Sequence, residues 1–346
     1  RLNCPANHTI VADLKWADDE DRLRMFVREI LLLIKADILQ ENGNLAETEL
    51  IWFRPLSFKN SIRDRFTRIR REESSDILNL KNSASQIKCY TESEAPYYYF
   101  DTKSSFADRQ SVAVLDIGGG SADIVYYSNG KPEIANSVRF GCDVIWGDGF
   151  DQMENAKANG IYRHYKDKIN FSDKSLQEIY DSMKEDGSEV SSRDIINFWI
   201  SNESRIRISE KFKTDFSPVF VYHYVALLYY MMSMFRARGL SYPRTLIFSG
   251  NGSRYIDNYI TTDLNSLEEI VRTIASKFYG SSVGRIEIVL PEYRKESTCY
   301  GGLYHKDGPE PEAVVYIGDG VPANYINVAE LKAAYKDKVK SRVINE

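Results

Sequence analysis

Charge of one sign is what this sequence has least of. Its 45 lysines and arginines nearly balance 50 aspartates and glutamates, a formal net charge of -5. The two signs are interspersed, so no whole-molecule field is available to hold nucleic acid or an anionic membrane. Cysteine and histidine are scarce, four of each. Cys4, Cys89, Cys142 and Cys299 lie far apart with no C-x-x-C pair, which fits neither a zinc site nor a compact disulfide framework. A reducing cytoplasm is the simplest home. His8, His164, His223 and His305 are too scattered for a recognisable triad or metal set. Long hydrophobic runs are missing too. Ile30–Ile34 and Val219–Phe235 are too short or too interrupted by polar residues to span a bilayer, and no signal-peptide pattern opens the chain. The sequons at Asn7, Asn170, Asn202 and Asn251 fit the glycosylation pattern only formally. The first residue is Arg1 rather than Met, and a segment upstream of it is expected.

What is present is an α/β pattern. At 346 residues and 43% hydrophobic, the chain can bury a large core and is expected to form two lobes. Asp18–Leu39 carries Leu23, Phe26, Val27, Ile30, Leu31, Ile34 and Ile38 at helical spacing, with acids in its first turn. Asn42-Gly43-Asn44 ends that helix, and Glu49–Phe53 reads as a short strand stopped by Pro55. Ser61–Asp76 is a charged helix whose five arginines, Arg63, Arg65, Arg68, Arg70 and Arg71, are either a nucleic-acid patch or a solvated face; the interleaved Asp64, Glu72 and Glu73 favour the solvated face. Gln86–Tyr90 is another strand, and Tyr97–Phe100 reads as core packing. Ser217-Pro218 is expected to open an apolar helix that Gly239 closes, and Ser266 with Glu269 forms a capping-box pattern. Thr245–Phe248, Arg285–Leu290 and Ala313–Ile317 read as strands, with Gly301-Gly302 at a helix entry and a charged helix near Ala329–Val343.

Val112–Tyr127, VAVLDIGGGSADIVYY, holds two β-rich runs around a glycine turn, hence a hairpin. A Rossmann turn or P-loop would open a helix instead, and the G-K-[ST] ending is missing. Phosphate oxygens need several backbone N–H groups converging where no Cβ blocks approach, which Gly118, Gly119 and Gly120 supply. The flanking Asp116 and Asp123 would repel bare phosphate, so the pattern makes sense with a hydrated Mg²⁺ between them. Without such a cation, the same residues read as a glycine-rich hairpin with incidental acids.

Here the sequence resembles the actin-like ATPase (ASKHA) superfamily of actin, heat-shock chaperones, sugar kinases and exopolyphosphatases. Its second phosphate motif is an aspartate, a glycine-rich turn, a small hydroxyl residue and a second aspartate. Asp116, Gly118, Gly119, Gly120, Ser121 and Asp123 match every position. The resemblance implies an α/β, ribonuclease H-like ATPase fold, two lobes each with a mixed sheet flanked by helices, and a cleft for ATP and Mg²⁺. It implies that the hairpin and Ser121 hold phosphate and that Asp116 binds the metal through water. Glu92-Ser93-Glu94-Ala95 is similar to the segment that places a water-orienting acid, Glu92 aligning with the chaperone pattern and Glu94 with the phosphatase one. Leu246–Arg254 is similar to the adenosine motif through Gly250, Asn251, Gly252, Ser253 and Arg254, with Asn251 where a second glycine is usual. Phe140-Gly141-Cys142-Asp143 is either a loop closing over phosphates, with Gly141 at its centre, or a tight turn. Tyr300-Gly301-Gly302 resembles the last connecting motif at the hinge.

The first phosphate motif of the family has no counterpart between Arg1 and Leu115. The expected organisation is therefore residues 1–110 as the later part of lobe I, 111–305 as lobe II with its core at 111–149 and 240–305 and a helical subdomain near 150–216, and 306–346 as an extension. The function implied is part of an ATPase that couples ATP binding or hydrolysis to lobe closure. The alternative is a non-catalytic actin-like scaffold or filament protein with a vestigial site. A protein partner or self-assembly is expected in either case, with no nucleic acid and no membrane span.

Overall fold

The computed structural model describes residues 19–54, 60–103, 110–138, 140–146, 161, 165–184, 192–206, 209–305 and 315–316. The expected helix at 329–343 and the residues Cys4, Asn7, His8 and His164 lie outside them.

Two sheets organise the chain. The smaller pairs β1 (Leu50–Arg54) with β2 (Ile87–Thr91) in parallel. It is covered by α1 (Glu20–Gln40) and α2 (Asn60–Leu78), whose Leu23, Val27 and Leu31 pack on Phe66, Ile69, Ile77 and Leu78. Phe26, expected on the apolar face of α1, is instead 48% exposed. The cause lies in the sequence of α1, which is apolar on two sides; only the side carrying Leu23, Val27 and Leu31 meets α2, and Met25, Phe26, Leu32 and Leu33 face outward.

Two of the α2 arginines are held by different partners. Arg68 pairs with Glu20, and Arg24 and Arg28 of α1 converge on Glu73, which is only 4% exposed. Arg70 lies over the rings of Trp52 and Phe66 and donates to the Phe53 carbonyl at 2.8 Å. Burial lowers its guanidinium to about 9.

The larger sheet has six strands in the order β7-β6-β3-β4-β5-β8. The glycine-turn segment folds as expected into the antiparallel hairpin of β3 (Ser111–Ile117) and β4 (Ala122–Ser128). β5 (Lys131–Val138) continues the meander, and β6 (Thr245–Ser249) and β7 (Glu287–Val289) add in parallel on the β3 side. β8 (Val315–Tyr316) pairs in parallel with β5, so the expected strand near 313–317 extends this sheet.

Alternation along β3 sends Ala113, Leu115 and Ile117 to one core and Val112 and Val114 to another. The first core lies under α8 (Ser209–Ala237) and α9 (Leu264–Tyr279). The second lies under α4 (Ala95–Lys103), where the Tyr97 ring stacks on Tyr127 at 3.8 Å, the packing role expected for that aromatic run. The short α3 (Ser83–Gln86) leads into β2, and α5 (Asp143–Trp146) follows β5. In the polar middle of the chain, α6 (Lys174–Lys184) and α7 (Ser192–Ser201) contribute Tyr180, Ile195, Ile196 and Trp199 to the first core. α10 (Glu296–Tyr304) follows β7.

Three expectations are corrected. Ser217 does not cap α8: the helix begins at Ser209 and carries Pro218 inside it. Phe216 is buried, so packing holds the preceding turn in place, and the Ser217 hydroxyl donates to the Tyr259 carbonyl instead. Asp263, not Ser266, caps α9, accepting the Asn265 and Ser266 amides. A carboxylate is the stronger acceptor, and it also takes the Ser266 hydroxyl. Gly301 and Gly302 lie within α10 rather than at its entry. A Cβ at Gly301 would stand 1.7 Å from the Ala95 carbonyl oxygen of α4, and one at Gly302 would stand 2.5 Å from the Phe53 ring. Those glycines let α10 cross between the two lobes.

By length and composition, Thr214–Ala237 of α8 is apolar enough to cross a membrane. Half of its most apolar window is buried in the fold, through residues such as Phe216, Phe220 and Met231.

Candidate functional site

The glycine tip of the β3–β4 hairpin opens into a cleft of about 690 Å³ between the two sheets. The smaller sheet contributes Phe53 and Glu92 from the ends of its strands. The larger one contributes the hairpin and the loops that follow β5 and β6.

Of the residues singled out in the sequence, Glu92, Asp116, Gly118, Gly119, Gly120, Ser121, Asp123, Gly250, Asn251, Gly252 and Arg254 line this one cleft. Asp116 and Asp123 are direct cross-strand partners in the hairpin register. Like charges placed opposite one another on a ladder are destabilising without compensation. Asp116 accepts from the Ser249 hydroxyl at 2.8 Å, and Asp123 is 3% exposed.

The tip is braced from behind. The amides of Gly141, Cys142 and Asp143 donate to the carbonyls of Gly120, Gly118 and Gly119 at 3.4, 3.0 and 2.8 Å. Gly141 is required for that approach, since a Cβ there would stand 2.2 Å from the Gly119 oxygen. Gly141 therefore supports the hairpin, while its neighbours Cys142 and Asp143 reach the cleft. Burial pushes the Cys142 thiol up to about 12, so it is a packed, protonated group. His223 on α8 is 4% exposed and holds the same loop through a 3.1 Å bond from Nε2 to the Phe140 carbonyl. Burial lowers its imidazole to about 4.

The loop after β6 lies directly against β3. Gly250 has φ of +78°, a conformation that favours glycine, and a Cβ there would stand 2.6 Å from an Asp116 carboxylate oxygen. Ser253, predicted at the site, is turned away: it is fully buried, its hydroxyl donating to the Gly250 carbonyl at 2.7 Å. Glu94 is also outside the cleft lining. Its carboxylate accepts from Thr91, and its carbonyl receives the Tyr127 hydroxyl at 3.3 Å. Glu92 is the acid that the strand end presents, its amide bonded to the Arg54 carbonyl at 3.0 Å.

Sequence reasoning missed Phe53, Cys142, Asp143, Tyr255, Asn258, Lys295, Thr298 and Cys299 as lining residues. Asp143 was within reach, standing in a loop already marked by Gly141. Lys295 carried no local signal, because nothing in its neighbourhood of sequence marks a cleft.

Among the described residues, no group of three or more His, Cys, Asp or Glu side chains is placed to ligate a metal directly. Two opposed carboxylates beside a glycine tip do suit a cation that keeps most of its water and shares phosphate oxygens, as Mg²⁺ does.

The glycine-tipped hairpin, the mixed six-stranded sheet and the cleft facing a second sheet are features the resemblance implied; that β6 and β7 add in parallel on the β3 side is what the structure adds. The fold is α/β, with two sheets facing one another across a cleft. No family model matches the chain and no curated protein matches it. Solved structures do. One is the ethanolamine utilization protein EutJ from Carboxydothermus hydrogenoformans, 13% identical with a TM-score of 0.41, the match covering 86% of this chain and 79% of that one. Another is MreB5 of Spiroplasma citri bound to ADP, 12% identical with a TM-score of 0.39, covering 85% and 77%.

Proposed function

We propose that this cleft binds Mg·ATP and that occupancy draws the two sheets together, as part of an actin-like ATPase. The observation that carries the reading is the pairing of Asp116 with Asp123 across a glycine tip, in a cleft that Glu92 enters from the other lobe. The carbonyls of the tip accept from the loop behind it, and the Gly118 amide donates to the Ser121 carbonyl at 2.9 Å, so the amides that would meet an approaching phosphate are those of Gly119, Gly120 and Ser121. Ser121 adds a hydroxyl donor. Mg²⁺ held through water by Asp116 and Asp123 would neutralise the charge that phosphates bring to a carboxylate pair. Gly250, Asn251, Gly252 and Arg254 form the wall for the nucleoside, and Glu92 orients the attacking water.

The one glycine hairpin recognised in the sequence supports binding more directly than turnover, and binding is the activity proposed first. The division into residues 1–110 and 111–305 belongs to the same proposal, with 306–346 as an extension whose β8 joins the larger sheet.

Calorimetric titration of Mg·ATP tests it. Wild type is expected to bind, Asp116→Asn to lose at least about tenfold in affinity, and Glu92→Gln to bind normally while losing any turnover. Absence of binding by the wild type would sink the proposal. Binding that is insensitive to Asp116 would move the site elsewhere. Sedimentation with and without nucleotide tests self-assembly.

A further inference from the structure

The far wall of the cleft is organised by Arg294, a residue that does not line it. Arg294 lies in the segment between β7 and α10 and is 5% exposed. Its Nε donates to the Pro291 carbonyl at 3.0 Å, one terminal nitrogen donates to the Ser253 carbonyl, and the other pairs with the Asp257 carboxylate. Its own carbonyl accepts the Gly250 amide at 3.1 Å and the Ser297 hydroxyl at 2.8 Å.

Three of these bonds hold the loop at 250–257, and one holds the first turn of α10. The first element presents Arg254 and Tyr255 to the cleft, and the second presents Lys295 and Thr298. Arg294 is the bolt between the two walls. The phosphate end is secured separately, by the β3–β6 ladder and by the bond from Ser249 to Asp116.

We infer that Arg294 is a positioning residue for the nucleoside half of the ligand: it sets the spacing of the two walls that would enclose base and ribose, and leaves the phosphate half unaffected. This rests on the nucleotide reading of the cleft. A planar guanidinium with donors in three directions suits the task, whereas lysine reproduces the charge toward Asp257 without the fork. A hydrogen bond to a charged group contributes roughly 1.5–3 kcal/mol, about one to two powers of ten in affinity when it maintains a binding geometry.

The test uses two probes on the full chain, Mg·ATP and Mg·tripolyphosphate, titrated into wild type, Arg294→Lys and Arg294→Met. Wild type is expected to bind ATP the more tightly. Arg294→Met should lower ATP affinity at least about tenfold, toward that of tripolyphosphate, with tripolyphosphate affinity held within about twofold. Arg294→Lys should recover only part of the loss. A parallel fall for both probes would reduce Arg294 to a structural residue and overturn the inference, as would no fall for either. Wild type binding both probes equally would remove the nucleoside subsite while keeping the phosphate site. Wild type binding neither would fail the nucleotide reading itself, and this inference with it. Should Arg294→Met not fold, Asp257→Asn decides: a selective loss of about threefold for ATP supports the inference, and no selective loss overturns it.

Discussion

The two sheets of this protein solve the same problem with unequal means. Every residue of β1 is only half-buried, whereas β6 is buried throughout and β3 is buried except at Asp116. The six-stranded sheet has apolar layers on both faces, which parallel strands require, and the hairpin at its centre inherits that rigidity. The two-stranded sheet is below the size at which strands are stable alone, and it leans on α1, α2 and the glycine face of α10. The glycine tip proposed to hold phosphate is thus placed on the stiff sheet. The soft one supplies Phe53 and Glu92.

The contrast can be broken where the two halves meet. Gly301→Ala would drive a methyl group into the Ala95 backbone, and a loss of about 4 kcal/mol is expected in urea unfolding, because a carbonyl in a packed helix cannot step aside. Gly302→Ala meets the edge of the Phe53 ring, which can turn, and should cost about half as much. Within the stiff sheet, Leu115→Ala should cost about 3 kcal/mol in one cooperative transition. Leu31→Ala in α1 should instead release an early phase, visible as faster amide exchange in β1 with β3 unchanged.

Acid sharpens the comparison further. Folding holds the His223 imidazole near 4, below its ordinary value, so the unfolded chain binds the extra proton first. Stability contributed by neutral His223 is present above about pH 6.5 and is lost as pH falls towards 4, by about 3 kcal/mol at pH 4. His223→Gln should flatten that part of the pH profile measured by thermal unfolding. The smallest effect is expected at the surface of α1 and α2. Arg68→Ala, which removes an exposed pair with Glu20, should change stability by no more than about 0.5 kcal/mol.

Much of the architecture was legible because its signals are local. The β3–β4 hairpin, β6 and the aromatic run of α4 each follow from a few adjacent residues, and the acids of the hairpin share a cleft because the turn puts them opposite one another. Glu92 and Glu94 each fit a pattern in sequence, with Glu92 the favoured one, but the turn in which Thr91 captures Glu94 is not visible there. Arg294 was invisible for the opposite reason. Its partners Ser253 and Asp257 lie 41 and 37 residues away, and a lone arginine after a strand reads as surface. Pro218 misled because a proline at a first helical position is favourable on local grounds, while the buried Phe216 extends the helix past it.

The contact between Gly301 and the Ala95 carbonyl has a mechanical consequence. With a backbone oxygen occupying the volume of a missing side chain, α4 and α10 have no clearance to slide along one another. The next residue, Gly302, seats the same helix against the Phe53 ring of the smaller sheet, so any tilt of α10 is expected to pivot at Gly301.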